Sequence, residues 1–154
     1  MRAILLALLC AVSLSGCLPM AIFASSSDAA YRGKSNSWGT VTASSEVNAF
    51  CISPKLRLVI WDFEGYFGKK VIMQSGYRDG YHNGKAGGVD NSYHMKCMAA
   101  DFYIPGVPKE KLIAFAMRNG GVGGLGCYPG RSFIHVDVRD RPRGYSRPVT
   151  FSGC

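Results

Sequence analysis

Hydrophobic residues recur at helical spacing in two segments of the chain. In the first, Ser53-Pro54 is typical of a helix N-cap followed by proline at the first helical position, and Gly68 ends the pattern. The apolar positions between them are Leu56, Val59, Ile60, Phe63 and Phe67. In the second, residues 108–119 carry an apolar face and are followed by Gly120-Gly121, a helix stop signal. The pattern therefore predicts two amphipathic core helices.

Shorter apolar runs predict the strands of a sheet. Residues 71–73 form one such run, residues 99–104 alternate well enough for a strand, and residues 133–138 have the clearest strand pattern. Residues 122–128 are rich in glycine and are interpreted as a strand or a loop. Helices that flank a small, mainly antiparallel sheet indicate an α+β domain.

Two segments lack a regular pattern. Residues 76–91 contain five glycines and few aliphatic side chains, so we expect a long irregular loop there. Loops of this length in small domains often carry function. The arginine-rich tail from Arg139 onward is expected to lie on the surface.

The N-terminal residues are typical of an exported protein. The apolar stretch over residues 3–14 is shorter than the ~20 residues needed to span a bilayer, so it is interpreted as a secretory signal. It ends in Leu14-Ser15-Gly16-Cys17, which matches a lipoprotein cleavage site. Residues 1–17 are thus predicted to be a lipoprotein signal peptide, with a lipid anchor on Cys17. The alternative is an ordinary signal peptide that is cut later, for example after Ala24.

The remaining sequence predicts a tether and one folded domain. Residues 18–37 are rich in small residues and have no sustained periodicity, which favours a flexible tether. Residues 38–154 suffice for one compact domain with a single core, which we expect to be monomeric. Because Leu18 rather than an aspartate follows Cys17, we expect a periplasmic protein anchored to the outer membrane.

The chain is basic, with a net charge of +8 and a pI of about 9.3. In an exported protein the available polyanions are the cell wall and lipopolysaccharide, so nucleic acid is not expected as a partner. The alternative interpretation is that the basic residues only make the protein surface soluble and bind no polyanion. Basic residues are concentrated at Arg131, Arg139, Arg141, Arg143 and Arg147.

Four of the six cysteines remain once the predicted signal peptide and the lipidated residue are set aside: Cys51, Cys97, Cys127 and Cys154. An even number in an exported chain predicts two disulfides, with three possible connectivities. We favour Cys97 with Cys127 and Cys51 with Cys154, because the first pair would brace the segments that carry candidate metal ligands. A cysteine zinc site is the alternative, but the chain has no CxxC pair.

Those candidate ligands are two histidines and a carboxylate from separate segments: His94, Asp101 and His135. Zinc accepts this set while keeping one coordination position for water, which makes an open site hydrolytic. The period of two along a strand lets Asp101 point into a cleft while its neighbours pack into the core. It also places Asp137 on the face of His135, where Asp137 either orients that histidine or accepts a proton from the zinc-bound water.

Several motifs occur in an order that resembles the zinc D-Ala-D-Ala peptidases of the LAS group, and in particular the small exported murein peptidases. They are Ser75-Gly76-Tyr77-Arg78, His82-Asn83, Gly87-Gly88, an SxHxxGxAxD-like stretch over Ser92 to Asp101, Gly120-Gly121-Val122-Gly123, and Phe133 to Asp137. The resemblance covers about residues 51–137. It implies a hedgehog/D-Ala-D-Ala peptidase-like fold and one zinc ion per chain.

The resemblance also implies roles for individual residues. His94, Asp101 and His135 match the zinc ligands. Arg78 matches the arginine that polarises the scissile carbonyl and stabilises the oxyanion, a task that suits a permanently charged guanidinium. Ser92 and His82 match positions near the substrate; the alternative for Ser92 is a local cap, and for Arg78 a brace of the glycine-rich loop.

Two positions depart from the family pattern. Cys97 replaces the glycine of SxHxxGxAxD, which fits a disulfide but could alter the turn that carries a ligand. Many relatives also carry a catalytic base two or three positions before the last ligand, where Ser132 and Phe133 stand here. Asp137 is the nearest candidate for that base.

The function implied by the resemblance and the compartment is zinc-dependent hydrolysis of peptide bonds in peptidoglycan. The substrate is the stem peptide or its cross-links, which leaves a D,D-carboxypeptidase and an endopeptidase equally open. The alternative is a non-catalytic peptidoglycan-binding lipoprotein that retains the zinc-site scaffold. An adhesion or inhibitor module stabilised by disulfides would explain the cysteines. It would not explain the set of His94, Asp101 and His135.

Overall fold

The computed structural model describes residues 39–154. The predicted signal peptide, the lipid anchor on Cys17 and the tether over residues 18–37 lie outside these residues. Within the described part of the chain, none of the helices combines the length and apolarity needed to cross a membrane.

The described residues form α-helices, one 3-10 helix and the strands of a single sheet. The helices are α1 (Pro54–Phe67), α2 (Gly80–Lys85) and α3 (Lys109–Ala116), and the 3-10 helix covers Tyr93–Lys96. The strands are β1 (Val41–Thr42), β2 (Ile72–Ser75), β3 (Ala99–Tyr103), β4 (Gly124–Gly126), β5 (Ile134–Asp137) and β6 (Val149–Phe151). Their combination confirms the α+β prediction.

The sheet has six strands in the order β1-β2-β3-β5-β4-β6. The three inner pairings, β2 with β3, β3 with β5 and β5 with β4, are antiparallel. The outer pairings, β1 with β2 and β4 with β6, are parallel, so the sheet is mixed. Its centre is therefore formed by β3 and β5, the strands that carry two of the candidate ligands.

Helix α1 forms where the sequence predicts it. The side chain of Ser53 caps its first turn by accepting a hydrogen bond from the Leu56 amide at 3.3 Å, and Gly68 ends it in the left-handed conformation at a φ of 61°. Its buried face packs on the sheet. Phe63 lies at the centre of the core, with ring centroids 5.0 Å from Phe102 on β3 and 4.7 Å from Phe115 on α3.

The prediction of a long irregular loop over residues 76–91 is wrong in part, because α2 lies within it. The carboxylate of Asp79 accepts a hydrogen bond from the His82 amide at 2.8 Å and so caps a short helix despite its glycines. The tail contains a strand, β6, which the sequence pattern does not predict because the tail is rich in proline and arginine. Its backbone pairs with the edge of β4, from Gly124 opposite Val149 to Gly126 opposite Phe151.

The predicted disulfide pairing is wrong: the bonds join Cys51 with Cys97 and Cys127 with Cys154. The end of the 3-10 helix lies against the segment that enters α1, where the Ser53 amide donates to the Cys97 carbonyl at 2.8 Å. The parallel pairing of β4 and β6 likewise brings the residues after both strands together. Chain contacts that are invisible in the sequence thus select the connectivity.

Candidate metal centre

Two central strands and the 3-10 helix bring the three candidate ligands together. Asp101 on β3 and His135 on β5 are direct partners in the antiparallel register. His94 comes from the 3-10 helix that immediately precedes β3. Cys97 ends this helix in the left-handed conformation at a φ of 58°, which explains why glycine suits the corresponding family position. The disulfide between Cys97 and Cys51 then ties the turn to the segment that enters α1.

The distances between the three donor atoms fit a single small divalent ion. Asp101 Oδ1 lies 2.8 Å from His135 Nδ1 and 3.3 Å from His94 Nε2, and the two ring nitrogens are 3.1 Å apart. Zinc bonds of ~2.0–2.1 Å in a tetrahedron place ligand atoms about 3.3 Å from one another. All three residues are at least nine-tenths buried. The three side chains therefore form a buried donor set at the centre of the sheet, with the spacing of a zinc site.

Outer hydrogen bonds orient both imidazoles toward Asp101. His94 Nδ1–H donates to the Gly76 carbonyl at 2.6 Å, which leaves the lone pair of Nε2 facing the site. His135 Nε2–H donates to Asp137 Oδ2 at 3.2 Å, which leaves Nδ1 facing it. With these outer acceptors in place, each histidine can present to a metal the unprotonated nitrogen that a ligand requires.

The electrostatics of the cluster favour a positive charge at its centre. Burial alone would raise the pKa of Asp101, but hydrogen bonds from His135 and His94 outweigh it and hold that pKa well below its usual range. Burial would lower the pKa of His135, but Asp101 and Asp137 raise it above its ordinary value. The carboxylates therefore stabilise either a proton on His135 or a bound cation, and the two compete for the same nitrogen.

Arg78 lies beside the ligand cluster, as the resemblance implies. Its Nη2 contacts Asp101 Oδ2, while Oδ1 of the same carboxylate faces the imidazoles. Its Nε donates to Ser75 Oγ at 2.8 Å. The guanidinium is mostly buried and held at both ends, so it has a fixed position next to the donor atoms.

Ser92 and His82 occupy different surroundings. Ser92 lines the cavity in front of His94 and also caps the 3-10 helix, accepting from the His94 amide at 3.4 Å. His82 is exposed, pairs with Asp79 at 2.8 Å and lies outside the ligand cluster. It lines a different cavity, on the other side of Arg78. Ser92 is thus near the candidate ligands, whereas His82 could meet only a substrate that extends past Arg78.

Asp137 is buried behind His135. One carboxylate oxygen accepts from His135, and both oxygens accept from Arg139, with Nε to Oδ1 at 2.8 Å. Burial would raise the pKa of Asp137, but these bonds lower it to about 2. The contact is to Nε2, the ring nitrogen remote from the donor triangle, so this geometry favours the orienting role over that of a proton acceptor.

Arg139 is a site residue that the sequence analysis noted only as part of a basic tail. Its Cζ lies 4.5 Å from the ring centre of Tyr93 and 5.6 Å from that of Phe151. The signal that could have found it is the spacing of His135, Asp137 and Arg139, which alternate along the continuation of one strand face.

Two cavities meet at Arg78. The first, of about 440 Å³, is lined by residues before and after β2, with His82 and Asp79. The second, of about 730 Å³, contains His94, His135 and Arg139 in its wall. Because Arg78 lines both, a peptide chain has room on either side of the guanidinium.

Comparison with known proteins identifies the family of the chain. Residues 28–137 match the family model described as Peptidase M15. The chain belongs to the peptidase M15 family. The match confirms the resemblance to peptidoglycan-hydrolysing zinc peptidases that the motifs indicated.

Individual relatives are similar over part of the chain. One is the probable peptidoglycan L,D-endopeptidase MepK of Haemophilus influenzae, 48% identical over 76 residues, which cover 45% of this chain and 39% of that protein. Another is the peptidoglycan L,D-endopeptidase MepK of Escherichia coli K12, 36% identical over 96 residues, which cover 56% of this chain and 51% of that protein. The matches thus span 39% and 51% of the length of these two relatives.

Proposed function

We propose that this protein is a zinc-dependent endopeptidase that hydrolyses peptide bonds in peptidoglycan stem peptides or their cross-links. The observation that carries the proposal is the convergence of His94, Asp101 and His135 on one point, with their donor atoms 2.8 to 3.3 Å apart. The names of the relatives favour an endopeptidase, with an L,D bond as its target, over a D,D-carboxypeptidase. The room on both sides of Arg78 also supports cleavage within a longer peptide.

Zinc fits the residues that are present. Two neutral imidazoles and one carboxylate are a common catalytic ligand set, and both imidazoles have their free lone pair directed inward. When bound, zinc would supply a Lewis acid and a water with a pKa near neutrality. The single negative charge of Asp101 and the nearby Arg78 leave the loaded site with a positive charge that suits an oxyanion.

Arg78 is proposed to stabilise that oxyanion. Its contact with Asp101 Oδ2 holds the guanidinium at the edge of the ligand cluster, where a scissile carbonyl would enter from either cavity. A fixed, partly buried donor costs no reorganisation as negative charge develops on the carbonyl oxygen. Arginine also remains protonated at any physiological pH.

Asp137 is proposed to act as a positioning residue. Its buried carboxylate fixes the tautomer of His135 and is itself held by Arg139. Such carboxylate–histidine pairs keep the ligand nitrogen unprotonated and its ring in place.

The alternative of a non-catalytic peptidoglycan binder is decided by one experiment. Purified peptidoglycan is incubated with the zinc-loaded protein, with and without a chelator, and the supernatant is analysed by mass spectrometry. We expect release of muropeptides that stops when the metal is removed. A protein that sediments with the wall but releases no peptide would be the binder instead.

The location is a proposal that rests on the N-terminal sequence. We propose an outer-membrane lipoprotein of the periplasm, anchored through Cys17, on the basis of the apolar stretch and the Leu14-Ser15-Gly16-Cys17 pattern. Mass spectrometry of the mature protein tests it. We expect a diacylglyceryl adduct on Cys17 that is absent from Cys17→Ala.

A further inference from the structure

The side chain of Arg139 is exposed to the larger cavity but is already held in place. Its Nε and Nη2 contact the buried carboxylate of Asp137, and its Nη1 has no protein acceptor among residues 39–154. The guanidinium lies over the ring of Tyr93 at 4.5 Å and near that of Phe151 at 5.6 Å. An ion pair and two aromatic contacts therefore fix a long side chain while one of its donor nitrogens stays free.

This guanidinium lies close to the candidate metal ligands. The ring of Phe151 lies next to both His135 and Arg139. Its centroid is 5.3 Å from the ring centroid of His135 and 5.6 Å from Arg139 Cζ. Asp137 bridges the same two residues by hydrogen bonds. A substrate group at Arg139 would thus lie about one or two residues from the bond under attack, given ~3.3 Å per residue of extended chain.

The charge of the cavity suits an anion. Its wall contains three cationic side chains, Arg78, Lys96 and Arg139, against one carboxylate, Asp90. Arg78 forms an ion pair with Asp101, and its proposed role is to stabilise the oxyanion of the scissile carbonyl. Lys96 and Arg139 are the other two cations. Of these, only Arg139 carries a planar guanidinium, which matches a carboxylate in shape and charge, and its Nη1 is the free donor.

We propose that Arg139 is a specificity-determining residue that binds a free carboxylate of the peptide substrate, next to the scissile bond. The inference rests on the proposed peptidase function and deepens it. The arginine is preorganised by Asp137, Tyr93 and Phe151, so binding a carboxylate there requires little further ordering of the side chain.

A matched series of substrates tests the proposal. Synthetic stem peptides are prepared in which each free carboxylate in turn is replaced by a carboxamide, and kcat/KM and binding by calorimetry are measured for each. For the parent protein we expect one of these replacements to lower kcat/KM by about 10- to 100-fold, as expected when a hydrogen bond to a charged group is lost. For Arg139→Gln we expect the acid and that amide to be hydrolysed within about threefold of each other.

The variants separate this role from a purely structural one. Arg139→Gln could also disturb Asp137 and His135, so zinc content is measured in parallel. Arg139→Lys keeps the ion pair with Asp137, and we expect it to retain zinc but to show an intermediate preference for the acid. Arg143→Gln removes an exposed arginine of the same tail and should keep the preference of the parent.

The outcomes are distinct. The proposal is overturned if no amide substitution costs the parent more than about twofold in kcat/KM or affinity, or if Arg139→Gln lowers activity on acid and amide equally. If the parent hydrolyses no peptide, the proposed function fails. The binding measurements would then still decide whether Arg139 selects the carboxylate.

Discussion

Asp101 and His135 face each other across the antiparallel pair β3 and β5, with Asp101 Oδ1 2.8 Å from His135 Nδ1. Neither side chain could reach the other from its own strand without this register. A shift of either strand by one residue would turn the ligand on that strand to the opposite face of the sheet, into the hydrophobic core. The site thus depends on strand pairing as much as on its residue types.

His135→Ala should abolish metal binding. The substitution removes one of three donors and leaves two, too few to hold zinc against water. We expect about one zinc per chain in the parent and less than about a tenth of that in the variant, measured by elemental mass spectrometry. His82→Ala is the matched control, because His82 lies outside the ligand cluster and should retain full zinc content. Equal zinc in His135→Ala and the parent would remove His135 from the site.

Asp137→Asn should weaken zinc without abolishing it. The amide can still accept from His135, but it loses the charge that favours a positive site and the ion pair with Arg139. Loss of such an outer partner costs roughly 10- to 100-fold in metal affinity. Competition with a chromophoric chelator measures the change. Asp140→Asn is the control: Asp140 is an exposed carboxylate that pairs with Lys55 and lies outside the ligand cluster, so the affinity should be unchanged.

Arg78→Gln should separate metal binding from catalysis. Its guanidinium contacts Asp101 Oδ2 but does not belong to the donor triangle, so most of the zinc should remain. Removal of one oxyanion donor lowers kcat by about 10²- to 10³-fold. Steady-state hydrolysis of a stem peptide by metal-loaded protein provides the measurement. A variant that keeps the parent kcat would assign Arg78 to a structural role in the glycine-rich segment.

The two disulfides should differ in their effect on the metal centre. Cys51–Cys97 encloses a sequence separation of 46 residues and holds the turn after His94, whereas Cys127–Cys154 encloses 27 residues and joins the ends of β4 and β6. Replacing either pair by serine should cost about 2–4 kcal/mol in the free energy of unfolding, measured in urea.

Only the Cys51→Ser/Cys97→Ser pair is expected to lower zinc affinity as well, because Cys97 is in the left-handed conformation directly after the 3-10 helix that carries His94. The Cys127→Ser/Cys154→Ser pair is the control of similar chemistry. Equal zinc affinities for the two double variants would show that the turn keeps its shape without the bond.

Much of the secondary structure was predictable because its signals are local. Ser53-Pro54 and Gly68 mark the ends of α1 within the same short stretch that forms it. The strand at Ile134–Asp137 is equally evident from its alternation. In contrast, β6 has a weak pattern of its own, and α2 is stabilised by the cap at Asp79 rather than by periodicity.

The sequence by itself determined the residue types of the site, the two main helices, the α+β class and the family of the chain. These depend on spacing and motif order, which the primary structure contains. Only the tertiary structure decided the disulfide pairing, the orienting position of Asp137 and the place of Arg139 in the cavity wall. Those relationships arise where distant segments pack together, because the burial and pairing energies that select such contacts belong to the whole domain and not to any one segment.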